Sequence, residues 1–512
     1  MRRRFDAPLA LLSAAWLAGC ATSALEMAPD RPDQPWTPAT TESGEIIPGK
    51  RGVPSVATGA GYVLPSNAAV AGVPPPPAVD ASKVYALPDL IDIAEANNPS
   101  TRIAWNEARK VALAAGIAES AYLPKITASA VLAYVNGGSS HGEFSGTGFQ
   151  SNTSATGVIP AVSLQWLLFD FGERSAVIDA AKQASVLANI AFTAAHQQVI
   201  YNVALAFYAH AAAQDRLAAA TQSLANAKAV QAAAEDRYKH ENGTVIEVAQ
   251  SRQATAQANL AVVQSIGGAQ DAYLALISAM GISPLTRIKV ADAAGRRLSA
   301  TMAEPVEHIV TEALERRPDV LSAYAAQKAS LANVRAAQAE FMPKVFVAAT
   351  GAYNSQSLNL TALPSVGEQS ATLNLNGSRW GGSIVAGVTL PLYDGRIRSA
   401  ALAQARAEAD SAEQRLTRVR DDVVRQIVFA DNALQTSLSA HDASEALQSA
   451  AQTTFDAALA AYRGGVGSIT DVTTAQTQLL QARNTTTDAY STALSAAATL
   501  ALATGALGQA PR

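Results

Sequence analysis

Leu168-Phe169-Asp170-Phe171-Gly172-Glu173-Arg174 recurs, altered but readable, as Leu392-Tyr393-Asp394-Gly395-Arg396-Ile397-Arg398. Aligned on their aspartates, the two phrases lie 224 residues apart. The same offset joins Tyr238 to Tyr462, Gly243 to Gly467 and Glu247 to Asp471. Upstream, Asn97-Asn98-Pro99-Ser100 is answered by Arg316-Arg317-Pro318-Asp319. Likewise Ala121-Tyr122-Leu123-Pro124-Lys125 is answered by Glu340-Phe341-Met342-Pro343-Lys344. The prolines of both pairs are 219 residues apart, so the second copy carries about five extra residues, all between Pro343 and Asp394. A repeat with one insertion marks an internal duplication, and the insertion marks a surface loop.

Each copy predicts the same order of elements. A helix of ~35 residues comes first, over 87–122 and 306–341, and ends at a proline that disfavours helical geometry just before it. Alternating stretches follow. Ile126, Ala128, Ala130, Leu132 and Tyr134 fall on one face, and after a Gly/Ser/Asn-rich loop Val162, Leu164, Trp166 and Leu168 share a face opposite Ser163 and Gln165. Residues 345–353 and 383–393 repeat the pattern, with Ile384, Ala386, Val388, Leu390 and Leu392 alternating with Val385, Gly387 and Thr389. Period two over ~10 residues predicts half-buried strands long enough to cross a bilayer. Trp166, Tyr134, Tyr353 and Trp380 suit the interfaces, where such rings are favoured.

No proline then occurs over 161–283 or 392–510. These stretches are rich in Ala, Gln, Arg, Glu and Leu, all good helix formers. Leu416, Val423, Ile427, Leu434 and Leu438 step by seven and four, the spacing of a coiled coil. The helices break at Tyr238-Lys239-His240-Glu241-Asn242-Gly243 and Tyr462-Arg463-Gly464-Gly465-Val466-Gly467. Each helix before a break has ~65 residues and spans roughly 100 Å. Each returning helix has ~30.

With 38 Lys+Arg against 42 Asp+Glu, the chain lacks the basic footprint of a nucleic-acid partner. Arg2, Arg3 and Arg4, an apolar run over 7–17 and Leu17-Ala18-Gly19-Cys20 read as an export signal with a lipobox. Lipidation would make Cys20, the single cysteine, the anchored N-terminus; an ordinary cut after Ala24 is the alternative. Residues 21–85 hold 11 of the 23 prolines, including Pro74 to Pro77, and predict an extended tether. The expected organisation is a signal with lipobox over 1–20, a tether over 21–86, repeats over 87–300 and 301–505, and a tail over 506–512. No run of ~18 apolar residues follows Cys20, so strands are left to make any membrane crossing.

Four strands cannot close a barrel, and an open edge in lipid leaves backbone groups unpaired at several kcal/mol each. Oligomerisation follows. Two chains would give eight strands and a filled bore, while three would give twelve and an aqueous lumen, which the small or polar Ser163, Gln165, Gly387 and Thr389 suit. The sequence itself does not count subunits.

The order helix, strand, strand, long helix, break, helix, twice over, resembles the TolC family of outer-membrane efflux and type I secretion ducts. The likeness spans residues 87–505. Leu-Pro-Leu-Tyr-Asp-Gly-Arg (390–396) and Trp-Leu-Leu-Phe-Asp-Phe-Gly (166–172) are similar to the family's strand-to-helix corners. The resemblance implies an α+β membrane protein: a homotrimer with a 12-stranded β-barrel continuing into an α-helical coiled-coil periplasmic tunnel. It implies partnership with a periplasmic membrane-fusion adaptor and an inner-membrane RND or ABC transporter, and contact with outer-membrane lipid. It implies no chemistry and no cofactor.

The resemblance also places acidic residues just past the tip turn as a periplasmic gate. Asp471 and Glu247 match those positions, and Tyr462 matches a tyrosine tying the second copy to the first, with Glu247 its partner. Thr474 stands where a second acid is expected, and Gly467 where an arginine is. The competing reading is local. Thr244-Val245-Ile246-Glu247 and Ser468-Ile469-Thr470-Asp471 have the form of capping boxes or near relatives, so the acids answer helix starts. The corner residues Asp170, Arg174, Asp394, Arg396 and Arg398 read as helix-start residues rather than as contacts for a passing substrate.

An enzyme reading finds no support. The histidines (141, 196, 210, 240, 308, 441) are scattered, with no metal-binding pair, nucleophile elbow or phosphate loop. The rival from another class is a soluble periplasmic coiled-coil adaptor or scaffold, which would keep the hairpins and lack membrane strands. Drug efflux and type I protein secretion both fit the duct.

Overall fold

The computed structural model describes residues 28–29, 32–33, 36–51, 63–72, 79–80, 82–140, 150–293, 306–353, 358–362, 371–375 and 380–508. Cys20 and the lipobox lie outside them. The chain divides into two compact units, residues 1–78 and 79–512.

The first unit holds more structure than a featureless tether. A short antiparallel pair, β1 (Pro38–Thr40) and β2 (Ile46–Arg51), is joined by a turn in which Gly44 sits at φ +85°. The second unit starts earlier than residue 87. Strand β3 (Val84–Tyr85) pairs in parallel with β6 (Lys289–Val290), and the Tyr85 hydroxyl accepts the Asp80 amide at 2.9 Å. That pairing stitches the end of the tether to the far end of the first repeat.

The opening helix of each copy is two helices rather than one. In the first copy they are α1 (Leu87–Asn97) and α2 (Pro99–Glu119). Strands β4 (Lys125–Ser140) and β5 (Gln150–Phe169) follow, then α3 (Glu173–Lys239) and α4 (Val245–Ala279). The second copy runs α5 (Val306–Arg316), α6 (Pro318–Ala339), β7 (Lys344–Tyr353), β10 (Trp380–Thr389), α7 (Ile397–Arg463) and α8 (Ile469–Ala503). The break falls where each proline holds the residue before it extended, Asn98 at ψ 124° and Arg317 at ψ 131°. Both residues then lock a distant helix end. Asn98 Nδ2 donates to the Ala279 carbonyl at 3.0 Å, and Arg317 donates to the Ala503 carbonyl at 2.6 Å.

Both long helices have 67 residues, and both returning helices have 35. The predicted seam of α7 holds at Leu416, Val423 and Ile427, which are buried. Leu434 and Leu438 are only half-buried; Ala430, Ser437 and Ser444 take the inward positions instead. Small inward residues let neighbouring helices approach closely. Helix α4 is, by length and composition, long and apolar enough to cross a membrane, although polar residues interrupt it and no unbroken apolar run marks it in the sequence. Here it packs antiparallel along α3 through Val248, Ser251, Ala258 and Leu276.

The four long strands form one antiparallel sheet in the order β10-β7-β5-β4. Ile126 pairs with Leu164, Leu164 with Ala349, and Ala349 with Ile384, so these four share one face. Trp166, Val347 and Ala386 extend that apolar face in the next register, and Val388 with Val345 in the one after. Thr127, Ser163, Thr350 and Ser383 form one row of the opposite face. Strands β4 and β5, with 16 and 20 residues, are longer than the alternation indicated. Tyr134 lies outside the residues whose side chains are described. Between β7 and β10 lies a further antiparallel pair, β8 (Leu358–Ala362) with β9 (Ala371–Leu375).

Candidate functional site

The two helix breaks are closely similar turns that share most of their backbone hydrogen bonds. The Asn242 amide donates to the Arg237 carbonyl at 2.9 Å, and the Val466 amide to the Ala461 carbonyl at 3.0 Å. Glu241 donates to Tyr238, and Gly465 to Tyr462, each at 3.1 Å. Glu241 and Gly465 both take left-handed backbone, φ 61° and 81°. Gly243 and Gly467 are required by close approach: a Cβ on either would lie 3.0 Å from the backbone nitrogen of the tyrosine five residues before it. Thr244 and Ser468 then cap the returning helices.

From this common frame the two acids part. Asp471 closes a full capping box. Its amide donates to Ser468 Oγ at 3.2 Å, and its carboxylate accepts from Ser468 N at 3.3 Å and Oγ at 2.8 Å. Glu247 keeps only the amide half of that arrangement, donating to Thr244 Oγ1 at 3.2 Å. Its side chain, one methylene longer, reaches the other hairpin and accepts the Tyr462 hydroxyl at 3.1 Å. Sequence reasoning brought Tyr462 and Glu247 together, and the structure does the same.

Tyr462 is fully buried among Val230, Ala234, Phe455 and Val472. Burial, then the Glu247 carboxylate, pushes its phenol up to about 12. Above the ring sits a residue the sequence reading passed over. The Arg237 guanidinium lies 4.8 Å from the ring centroid and donates to the carbonyls of Tyr462 and Asn242. Its Nε has no hydrogen-bond partner, so the ring face is what that edge of the cation meets. A basic residue in the last turn of a helix is ordinary. The available signal was a lapse in the repeat, because the second copy has Ala461 at this place.

The strand-to-helix corners are duplicated latches. Arg174 Nε donates to Asp170 Oδ2 at 2.8 Å, and Arg398 Nε to Asp394 Oδ2 at 2.6 Å. Each guanidinium also donates to a carbonyl at or just past the end of its strand, Leu167 or Pro391, and covers a ring, Tyr122 or Phe341. Each aspartate accepts the amide four residues on and so caps its long helix. Burial pushes Asp170 up, but the hydrogen bonds and charge of Arg174 outweigh it and hold the carboxyl below its ordinary value. For Asp394 the Arg398 hydrogen bond leads, and the direction is the same. These side chains are occupied in joining sheet to helix. Arg396 differs: its left-handed backbone, φ 74°, donates its amide to Asp394.

A recess of about 570 Å³ lies between α3 and β6, lined by His210, Gln214, Asp215 and Asp292 among others. Burial lowers His210; burial and then Asp292 raise Asp215. Among the described residues no three His, Cys, Asp or Glu side chains converge as metal ligands.

The model of the outer membrane efflux protein family matches residues 90–282 and 309–506, both repeats almost end to end. The chain belongs to the outer membrane efflux protein family. It is 28% identical over 413 residues to Protein CyaE of Bordetella pertussis, covering 80% of this chain and 82% of that one. It is 26% identical over 296 residues to outer membrane protein OprJ of Pseudomonas aeruginosa, covering 58% and 59%. The fold is similar to that of VceC from Vibrio cholerae, with a TM-score of 0.68 at 20% identity over 82% of this chain and 96% of that one. As an outer membrane efflux protein, the chain is a channel component of the outer membrane with a periplasmic helical tunnel, serving an efflux or secretion system. The family is made up of channels rather than enzymes. The reading as a soluble adaptor gives way to this one, and the apolar face of the sheet is its physical reason.

Proposed function

We propose that three copies close a 12-stranded barrel and form a passive exit duct, without catalytic activity, for substrates delivered from the inner membrane. The observation that supports this reading is the four-stranded sheet. Its edges are β4 and β10, each paired on one side only among the described residues. Its apolar face is exposed in the single chain, Ile384 by 81% and Val388 by 66%. Lipid would cover that face, and neighbouring copies would pair the edges. Three copies leave a lumen lined by Ser163, Gln165, Thr350 and Thr389.

A periplasmic membrane-fusion adaptor and an inner-membrane RND or ABC transporter complete the assembly. Lipidation of Cys20 anchors the tether in the outer membrane. The tip residues Asp471, Glu247 and Tyr462 restrict the periplasmic entrance: Tyr462 and Glu247 hold two hairpins together, and the three Asp471 residues ring the constriction.

The test is purification from membranes of the full chain, followed by planar-bilayer recording. A heat-dissociable trimer with discrete low conductance is the expected result. Asp471→Ala should raise conductance or weaken block by multivalent cations; no change in either removes Asp471 from the gate. A monomer that partitions with soluble proteins overturns the duct reading. Export of a fluorescent small molecule versus release of a co-expressed secreted protein separates the two cargo classes.

A further inference from the structure

The duplication supplies a way to see contacts that one chain alone does not make. At the corners, each copy realises its own latch, Arg174 on Asp170 and Arg398 on Asp394. At the helix ends, each copy realises its own lock, Asn98 on Ala279 and Arg317 on Ala503. The tip contact is different because it runs from one copy to the other. Tyr462, at the end of the second long helix, reaches Glu247, at the start of the first returning helix. The mirror contact would run from Tyr238 to Asp471, the residues at the same offset. Within this chain it is not made. Tyr238 is 49% exposed, against 0% for Tyr462. Among the described residues its hydroxyl has no hydrogen bond, and Asp471 bonds only to its own cap.

We infer that Tyr238 of one protomer donates its phenolic hydrogen to Asp471 of the partner subunit, so that the tip is ringed by six tyrosine–acid links, three within chains and three between them. This rests on the trimeric reading above. In that ring the chain's two hairpins alternate, and every seam joins the tyrosine of one hairpin to the acid of the hairpin before it. The turns that carry the four residues share the backbone hydrogen bonds of 240–242 and 464–466, so the groups are presented on like frames.

A second observation points the same way. The in-chain seam is made by α3 against α8: the Ser223 carbonyl accepts from Gln476 Nε2 at 3.2 Å, and Ser223 is buried. The equivalent of Ser223 on α7 is Leu447, which is 52% exposed. Tyr490 and Ala498 of α8 pack into the core shared with α3. Their equivalents on α4 are Ile266 and Leu274, exposed by 41% and 42%. Thus α4 and α7 carry apolar side chains at the positions by which α8 and α3 join in the chain. A second copy, placed by the repeat, covers them. This also accounts for the apolar character of α4, whose outward face is a subunit seam in water.

The seams are not equal. The in-chain link has Arg237 over its tyrosine, and the between-chain link has Ala461 at that place. Asp471 is also one methylene shorter than Glu247 and shares its carboxylate with the cap. The between-chain links are therefore the weaker three.

The experiment uses the full-length protein with paired cysteines and a bismaleimide with a spacer of about 8 Å, since a tyrosine–carboxylate contact holds the backbones too far apart for a disulfide. Tyr238→Cys with Asp471→Cys should give covalent dimers and trimers on a denaturing gel. Tyr462→Cys with Glu247→Cys should react within the chain and leave the mass of a monomer. The four single variants subtract any contribution of Cys20. A native trimer that yields no between-chain product from the first pair overturns this pairing and leaves the trimer standing. A native monomer overturns both. A double-mutant cycle gives the second readout. Tyr238→Phe and Asp471→Asn should each lower the heat-dissociation temperature of the trimer, with the double variant no lower than the more affected single. Fully additive shifts overturn the proposal.

Discussion

The Tyr462 hydroxyl donates to the Glu247 carboxylate at 3.1 Å across 215 residues of sequence, and it does so from a fully buried ring. With the Arg237 bond to the Tyr462 carbonyl, it couples the second hairpin to the first at the end of helices about 100 Å long. Removing only the hydroxyl, by Tyr462→Phe, keeps the packing against Val230 and Val472. The net cost of a hydrogen bond to a charged acceptor is about 1.5–3 kcal/mol. We expect a higher resting conductance in a planar bilayer and a largely unchanged trimer. Arg237→Ala should act in the same direction, because it removes the cation above the ring and the bond to the Tyr462 carbonyl. A resting conductance equal to the wild type in both variants would dismiss the coupling.

The same residue sets an alkaline limit. Its phenol is raised from 10.0 to about 12, first by burial and then by Glu247. The unfolded chain therefore releases this proton at lower pH than the folded one. The stability it contributes is fully present below pH 10.0 and is lost as pH rises towards about 12. Tyrosinate absorbance should show a late step that is missing in Tyr462→Phe. In wild type that step should accompany an increase in conductance. A titration identical in the two proteins would contradict the assignment.

Much of this was legible because the chain states its plan twice. The offset of 224 residues links corner to corner and tip to tip, and the family resemblance adds the pairing of Tyr462 with Glu247. The split of the opening helix was less legible. Pro99 and Pro318 are tolerated at the first turn of a helix, so an apolar run through them reads as one element. The β1–β2 hairpin was hidden for the opposite reason, since Pro38, Pro48 and Gly44 look like linker composition. Arg237 was invisible because a lysine or arginine in a last helical turn is common; its role depends on a ring 225 positions away. The roles of Asp471 and Glu247 could not be separated by spacing alone. Both follow a capping hydroxyl by three residues, and only side-chain length sends one acid back to its cap and the other across the tip.

The corner latch should be sensitive to Lys for Arg. Arg174 serves Asp170, the carbonyls of Leu167, Leu168 and Ala121, and the face of Tyr122, which takes several donors in fixed directions. An ammonium group supplies a point charge and no planar fork. Breaking a buried pair by removing one partner costs about 3–5 kcal/mol. Arg174→Ala should approach that range in heat dissociation of the trimer, and Arg174→Lys should recover only part of it. The Asp170 carboxyl is held below its ordinary 3.8, so its contribution is present above that pH and is lost as pH falls through the folded value. Full recovery by Lys would reduce the latch to simple charge.

The two helix-end glycines make a paired test of backbone strain against crowding. Gly281 and Gly505 both adopt left-handed backbone, φ +72° and +67°. At Gly281 a Cβ would also lie 2.8 Å from the Asn98 Cα, whereas at Gly505 the nearest atom is the Arg317 Cγ at 3.4 Å, an ordinary van der Waals contact. Both alanine variants carry the conformational penalty of about 1–2 kcal/mol. Only Gly281→Ala must also push α1 and α2 apart at their junction. Its loss of stability should be clearly the larger, by thermal melting of the detergent-solubilised protein. Equal losses would mean that Asn98 moves freely.

The sheet faces give the last test, because lipid and lumen demand opposite chemistry from adjacent residues. Ile384 lies on the apolar face with Ala349 and Leu164, and Gln165 lies on the other face. An arginine on the lipid side of a barrel costs about 2–4 kcal/mol near the bilayer midplane and little near the interfaces, whereas lumen positions tune conduction. Ile384→Arg should therefore lower the yield of folded trimer in outer membranes and its dissociation temperature. Gln165→Arg should leave both near wild type and shift the channel towards anions in reversal-potential measurements. The contrast depends on face alone, since both strands are paired in the same sheet. If Gln165→Arg blocked assembly while Ile384→Arg did not, the sheet would be facing the other way, and the apolar residues would have to line the bore.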